Sequence, residues 1–207
     1  MSTAYEITGR TEQKQRTRQA LVAAARDLVA RGKTPTVEDA AGAAGISRTT
    51  AYRYFPSQRA LLGAAHPETD THSMLPPDPP QDPAQRLAAV IGEFTGMILG
   101  TEAQQRTMLR LSLEADEAER AALPLRQGRA IGWIQEALLP LRDRLSEGEL
   151  HRLVLAIRSA VGIEALAWLT DVARLSREDS VELMSWSAQA MLHAALTGRP
   201  PAISDSN

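Results

Sequence analysis

Apolar residues recur at three- and four-residue intervals along most of the chain. Leu87, Val90, Ile91, Phe94 and Ile98 form one series; Leu153, Ile157, Val161, Trp168 and Val172 form another. That period places each series on one face of an α-helix, whereas a half-buried strand would alternate at every second residue. No convincing stretch shows such alternation, so the pattern predicts an all-α protein. Helix starts are marked by a capping residue three positions before a carboxylate or amide: Thr36 and Asp39, Asp82 and Gln85, Thr101 and Gln104, Ser146 and Glu149, Ser176 and Asp179. The first side chain of such a pair accepts from an orphan backbone N–H, and the second reaches back to the cap.

These signals predict short helices near 12–31, 36–43, 47–54 and 57–65, then longer ones near 83–99, 102–116, 122–144, 147–174 and 177–197. Pro124 is expected near the start of its helix, and Pro140 is expected to kink or end it. Between the two sets lies "HPETDTHSMLPPDPPQDP", residues 66–83, whose six prolines exclude a continuous helix. The division is therefore 1–65, a linker at 66–82, a helical body at 83–200 and a loose tail at 201–207.

Composition narrows the function classes. Of 207 residues, 43% are hydrophobic, enough for a substantial core. Cysteine is absent, which excludes disulfides and thiolate metal sites and fits a reducing cytoplasm. The N-terminus lacks the apolar centre of a signal peptide, and no apolar run is seen to approach the roughly 20 residues of a spanning helix, so no membrane association is expected. Charge is uneven: residues 1–62 carry ten Lys/Arg against five acids, while the remainder carries 13 against 20. A basic first segment on an acidic body suggests a head that binds a polyanion.

Catalytic patterns are missing. His66, His72, His151 and His193 show no HExxH spacing, and no GxSxG, P-loop or GxGxxG occurs. "EADEAE", 114–119, reads as a solvated helix end. The expectation is no enzyme, no cofactor and no metal. An adaptor using its helices for protein contacts is the rival class, but it would not need a basic head.

The chemistry concentrates at residues 36–58. Three of the chain's eight aromatics are Tyr52, Tyr54 and Phe55. A short helix with Val37, Ala40, Ala41 and Ala44 inward is followed by Gly45, which can turn the chain at positive φ. Ile46 fills the angle and Ser47 caps a second helix. There Ala51 and Phe55 face inward while Arg48, Thr49, Tyr52 and Arg53 share the outer face. Helix, glycine turn and polar-aromatic helix form a helix-turn-helix, whose second helix enters the DNA major groove. Arginine offers bidentate bonds to guanine, threonine a hydroxyl and a methyl, tyrosine a phosphate contact. Pro56 stops the helix, and Ser57 caps the next, whose N-terminal N–H groups can hold a phosphate. Tyr52 and Tyr54 can instead pack beneath the first helix, Tyr54 more readily because it lies nearer the inward face.

Residues 14–62 resemble the TetR-type transcriptional regulators. The resemblance rests on Thr36, Val37 and Asp39; Ala44, Gly45, Ile46 and Ser47; Thr50; Tyr52; Tyr54 and Phe55; and Ser57. Thr49 stands where the family usually has glycine, Ala51 where it has a large aliphatic, and Gln58 where it has lysine. The resemblance implies a three-helix DNA-binding head with a helical body for ligand binding and dimerisation. The implied activity is that of a homodimeric regulator, a repressor released from pseudo-palindromic operator DNA by a small-molecule effector. It places Thr36, Ser47, Arg48, Thr49, Thr50, Tyr52, Arg53, Tyr54 and Gln58 at DNA, with Lys14, Arg16 and Arg18 as a basic lead-in.

In the body, Phe94, Met97, Met108, Trp133, Glu164 and Trp168 are candidate ligand contacts around one mainly apolar cavity, although at helical spacing such residues also serve as core. Glu164 interrupts the seam Leu153, Ile157, Val161 and Trp168. A carboxylate there must pair with an arginine such as Arg110 or Arg129, meet a ligand, or serve a dimer face. Ala156, Ala160, Ala165, Ala188 and Ala195 permit close helix approach, between two subunits or within one chain.

Overall fold

The computed structural model describes residues 3–66, 71–115, 117 and 128–198, with side chains from residue 11 onward. Pro124, positions 122–127 of one expected helix and the tail 201–207 lie outside the described residues. Every regular element within them is helical. In order they are α1 (Thr3–Ala30), α2 (Val37–Ala44), α3 (Arg48–Tyr54), α4 (Gln58–Ala64), α5 (Pro83–Gly100), α6 (Glu102–Glu114), α7 (Arg129–Ala137), α8 (Glu147–Ala160), α9 (Ile163–Ala167) and α10 (Arg177–Thr197). A 3₁₀ turn spans Leu139–Leu141 and a π-turn spans Trp168–Val172. The expected caps form at Thr36, Asp82, Ser146 and Ser176. Thr101 departs from the expectation: its hydroxyl donates back to the Met97 carbonyl at 2.6 Å instead of capping the next helix.

Two compact units result. One takes the chain to Thr69 and resumes at Ala103; the other begins at Asp70, pauses after Glu102 and resumes at Gly128. The segment from Ala103 therefore groups with the head, which differs from a body running unbroken from residue 83. In the first unit α1 packs on α2 and α4, and α2 on α3. Leu21, Val22, Ala25, Val37, Ala40, Ala41, Ala51, Phe55, Leu61 and Ala65 make its core, with Ala44, Ile46 and Tyr54 packed against it. Arg26 Nε donates to the Ala65 carbonyl at 2.8 Å and joins α1 to the end of α4. Helix α1 begins well before residue 12, the expected start.

The second unit packs α10 on α5 and α8, with α7 against both of those helices. Leu87, Val90, Ile91, Phe94 and Ile98 are all buried, as the periodicity predicts. Phe94 meets Trp133 edge to face, with ring centroids 5.6 Å apart, a geometry worth about 0.5–1.5 kcal/mol beyond area burial. Arg86 is buried, and its guanidinium donates to the carbonyls of Ala137 (2.9 Å), Glu136 (2.9 Å) and Pro80 (3.3 Å). A cation at the C-terminus of α7 satisfies orphan carbonyls and complements the negative end of the helix dipole. As expected, the chain leaves the helix near Pro140, although regular α-helix already ends at Ala137.

The expected single helix 147–174 is corrected. It stops at Ala160; Val161 is extended and Gly162 adopts φ 152°, ψ −179°. The break resets the phase, so Leu153, Ile157 and Val161 are buried while Trp168 and Val172 are 59% and 64% exposed. Glu164 is consequently not a lone carboxylate in a seam. It pairs with Arg158, Nη2 to Oε2 at 3.2 Å, and not with Arg110, which pairs with Glu114. Residues Glu147–Val172 also have the length and mean hydropathy of a membrane-crossing helix, contrary to the sequence expectation, but Gly162 interrupts them. A Cβ on Gly162 would lie 2.5 Å from Arg158 Nη1 and 2.9 Å from Glu164 Oε2, in a backbone region essentially restricted to glycine. Gly162→Ala is expected to lower stability by about 1–3 kcal/mol in urea unfolding, with α-helical content in water unchanged.

Candidate nucleic-acid interface

The interface is built on two short helices. Thr36 accepts from the Asp39 N–H at 3.1 Å and donates its hydroxyl to Asp39 Oδ2 at 2.7 Å, while the Thr36 N–H donates to the same oxygen at 2.8 Å. This reciprocal box fixes the start of α2. The Asp39 carboxyl is held below the usual aspartate value, first by the Thr36 N–H and then by its hydroxyl. At the other end Gly45 takes φ 66°, and its N–H returns to the carbonyls of α2. Ser47 then caps α3, accepting from the Thr50 N–H at 3.3 Å and donating to Thr50 Oγ1 at 2.8 Å. Ala51 and Phe55 anchor α3 inward. Helical geometry then turns Arg48, Thr49, Tyr52 and Arg53 outward, and all four are exposed.

The outward face is not left to solvent alone. Glu38, in the first turn of α2, reaches across to α3. Its Oε1 accepts from Arg48 Nη2 at 2.8 Å and from the Tyr52 hydroxyl at 2.8 Å. The Arg48 guanidinium also lies over the Tyr52 ring, 5.8 Å from its centroid. The Tyr52 hydroxyl, foremost, and then the Glu38 backbone N–H and the Arg48 charge hold the Glu38 carboxyl below the ordinary glutamate range. The hydrogen bond to that carboxylate pushes the Tyr52 phenol up, so Tyr52 remains a protonated donor at neutral pH.

Glu38 was not among the residues singled out from sequence. The available signal was an acid two positions after Thr36, at the second residue of a helix that precedes the one carrying Arg48 and Arg53.

Other candidates take different positions. Gln58 donates its side-chain amide to the carbonyls of Pro35 (3.0 Å) and Thr34 (3.2 Å), which commits that nitrogen to holding the loop before α2. Tyr54 is half-buried against the head core. In the basic lead-in Lys14, Arg16 and Arg18 are exposed along α1, with Arg18 5.4 Å from the Phe55 ring centroid.

The candidate effector residues divide between the two units and, within the second, between core and two grooves. Met108 is buried in the unit that holds the head, while Phe94, Met97, Trp133, Glu164 and Trp168 belong to the other. Phe94 and Trp133 are core. Met97 lines an open groove with Met74, Leu75, Gly92 and Gly96. Glu164 and Trp168 line a different one, with Leu183, Met184 and Ser187 of α10. Among the described residues no three His, Asp or Glu side chains form a metal-binding group.

Residues 20–65 match the profile described as "Bacterial regulatory proteins, tetR family". No curated protein matches the chain. Among solved structures, a TetR transcriptional regulator from Rhodococcus sp. RHA1 is similar in fold, with TM-score 0.58 and 21% identity over 87% of this chain and 98% of that one.

The capping box supplies a pH test. A carboxyl depressed in the folded state contributes stability that is complete above its unfolded value, 3.8, and is lost as pH falls through the lower folded value. The melting-temperature advantage of the parent over Asp39→Asn is therefore expected to be full at neutral pH and to shrink on acidification below about pH 4. Thermal scans of both proteins across that range check it.

Proposed function

We propose that this chain, whose residues 20–65 match the tetR family profile, is a TetR-type DNA-binding transcriptional regulator and works as a homodimeric repressor that a small molecule releases from its operator. The observation that carries the reading is the outward face of α3. Arg48, Thr49, Tyr52 and Arg53 project from a helix seated by Ala51 and Phe55 and turned by Gly45. Such a helix fits the major groove, with arginine at base edges and hydroxyl side chains at phosphates. Thr36, Ser47, Thr50, Tyr54 and Gln58 complete the proposed DNA-facing set; several of them also order the backbone around α3. Two heads would read an operator of two-fold symmetry with half-sites about one helical turn apart.

Dimerisation draws support from exposed apolar side chains on the late helices. Trp168, Val172, Leu183 and Trp186 are exposed, Trp186 to 67%. Trp168 and Leu183 line one groove, and exposed apolar surface of this kind supports an association site. Ala188, by contrast, is fully buried within the chain and belongs to its own core. For the effector, the groove beside Met97 encloses about 690 Å³ and the one beside Glu164 about 390 Å³, both within the range of small-molecule sites. A cytoplasmic location is part of the same reading.

Binding to duplexes selected from a random pool tests the DNA face. Arg48→Ala and Arg53→Ala are each expected to lose about 1–3 kcal/mol of specific binding, and parent-like affinity in both variants would refute the assignment. Sedimentation tests assembly: Trp186→Glu is expected to yield folded monomer, and an unchanged dimer would place the interface elsewhere. An effector, once found by its release of DNA, should lose affinity for the DNA-bound protein by the same factor that DNA loses for the effector-bound one, with a coupling of about 1–3 kcal/mol.

A further inference from the structure

We propose that Glu38 is a specificity-determining residue: its carboxylate occupies Arg48 and Tyr52 in the DNA-free protein, so that only a duplex offering both side chains better acceptors draws them away. The inference rests on the DNA-binding reading above and concerns the same face. Three observations carry it. Both donors converge on one oxygen, Glu38 Oε1, at 2.8 Å each. Their owners are four apart on α3, on its outward face, while Glu38 belongs to the neighbouring helix. Finally, the Arg48 side chain is 74% exposed and that of Glu38 is 34% exposed, so the arrangement is accessible to a ligand rather than sealed in the core.

The physical argument is an exchange of partners. Every duplex presents phosphates, and an arginine that neutralises one releases a counterion. Arg48 already has an anionic partner, so moving it to a phosphate trades one charge-assisted bond for another. It also leaves the Glu38 carboxylate facing the phosphate backbone with its own partners gone, and like charges repel. Random DNA therefore gains little from Arg48. A guanine edge in the groove accepts two bonds in a fixed fork geometry, and a nearby phosphate accepts the Tyr52 hydroxyl. Only that combination replaces what Glu38 supplied. The carboxylate thus suppresses sequence-independent binding more than specific binding, by competing rather than by contacting DNA.

Glu38→Gln keeps the shape and an acceptor for Tyr52 but removes the charge. With the full-length chain, affinity for a random-sequence duplex of about 30 base pairs is measured against salt, alongside the duplex selected by the parent protein. The variant is expected to bind random DNA about three- to tenfold more tightly, with a salt slope steeper by about 0.9, the signature of one additional phosphate contact. Its preference for the selected duplex should fall. Because Glu38 acts through Arg48, the slope change should vanish when Glu38→Gln is made in an Arg48→Ala background. An unchanged slope in the single variant, with or without a drop in melting temperature, overturns the proposal and assigns the carboxylate to the fold. So does a slope change that persists without Arg48. A parent protein that binds no duplex even at low salt overturns the DNA-binding reading and this inference with it, whereas a parent that binds and a variant that matches it overturn this inference alone.

Discussion

The helix-turn-helix depends on how closely α2 and α3 approach across Gly45. Ala40, Ala41 and Ala51 are fully or almost fully buried at that junction, and none projects beyond a methyl group. Small side chains let the two backbones come together, and the left-handed residue at Gly45 swings the chain into the second helix. The direction of every outward side chain on α3 follows from that angle. Alanine contributes little burial, so larger anchors around the junction hold it: Phe55, Leu61, Leu21 and Val37, each contributing about 1.5–3 kcal/mol when removed from water. An alanine where a larger residue would deepen this core makes α3 rely more on Phe55 and on the Ser47 cap.

The other unit uses buried polar groups for positioning. Arg86 gathers three carbonyls at the point where the proline-rich segment, α5 and the end of α7 converge. Arg158 spans the break at Gly162, donating to the Val161 carbonyl at 3.1 Å and gripping Glu164 with both terminal nitrogens, while lying 6.0 Å from the Phe94 ring centroid. Each arginine takes the place of backbone partners that a helix end or a chain reversal leaves unmade. These contacts fix where the helices stop, and stopping α8 at Ala160 is what turns Trp168 and Val172 outward.

Charge operates at two scales on the head. The surplus of lysine and arginine over acids in residues 1–62 sets a field that favours any polyanion. At contact distance the balance differs, because Glu38 sits among the outward donors of α3. A long-range field speeds encounter without reading sequence; local competition among hydrogen-bond acceptors distinguishes one site from another. Both can therefore coexist on one surface without contradiction.

By itself, the sequence determined that the chain is helical, where most helices start, and that residues 36–58 form a helix-turn-helix. Those features are local: a 3.6-residue period, a cap three positions before an acid, a glycine at a sharp turn. Even the outward set on α3 was legible, since Ala51 and Phe55 fix the inward side and spacing does the rest. Only the tertiary structure decided what meets across sequence. Glu38 finding Arg48 and Tyr52, Gln58 reaching the loop at Thr34 and Pro35, and Glu164 pairing with Arg158 around a helix break all depend on angles between elements. The break at Gly162 escaped the periodicity because two non-helical residues leave the hydrophobic count nearly unchanged while rotating everything after them. A pattern along one helix records which side is apolar, but the partner of a polar side chain is set by where neighbouring helices bring their own.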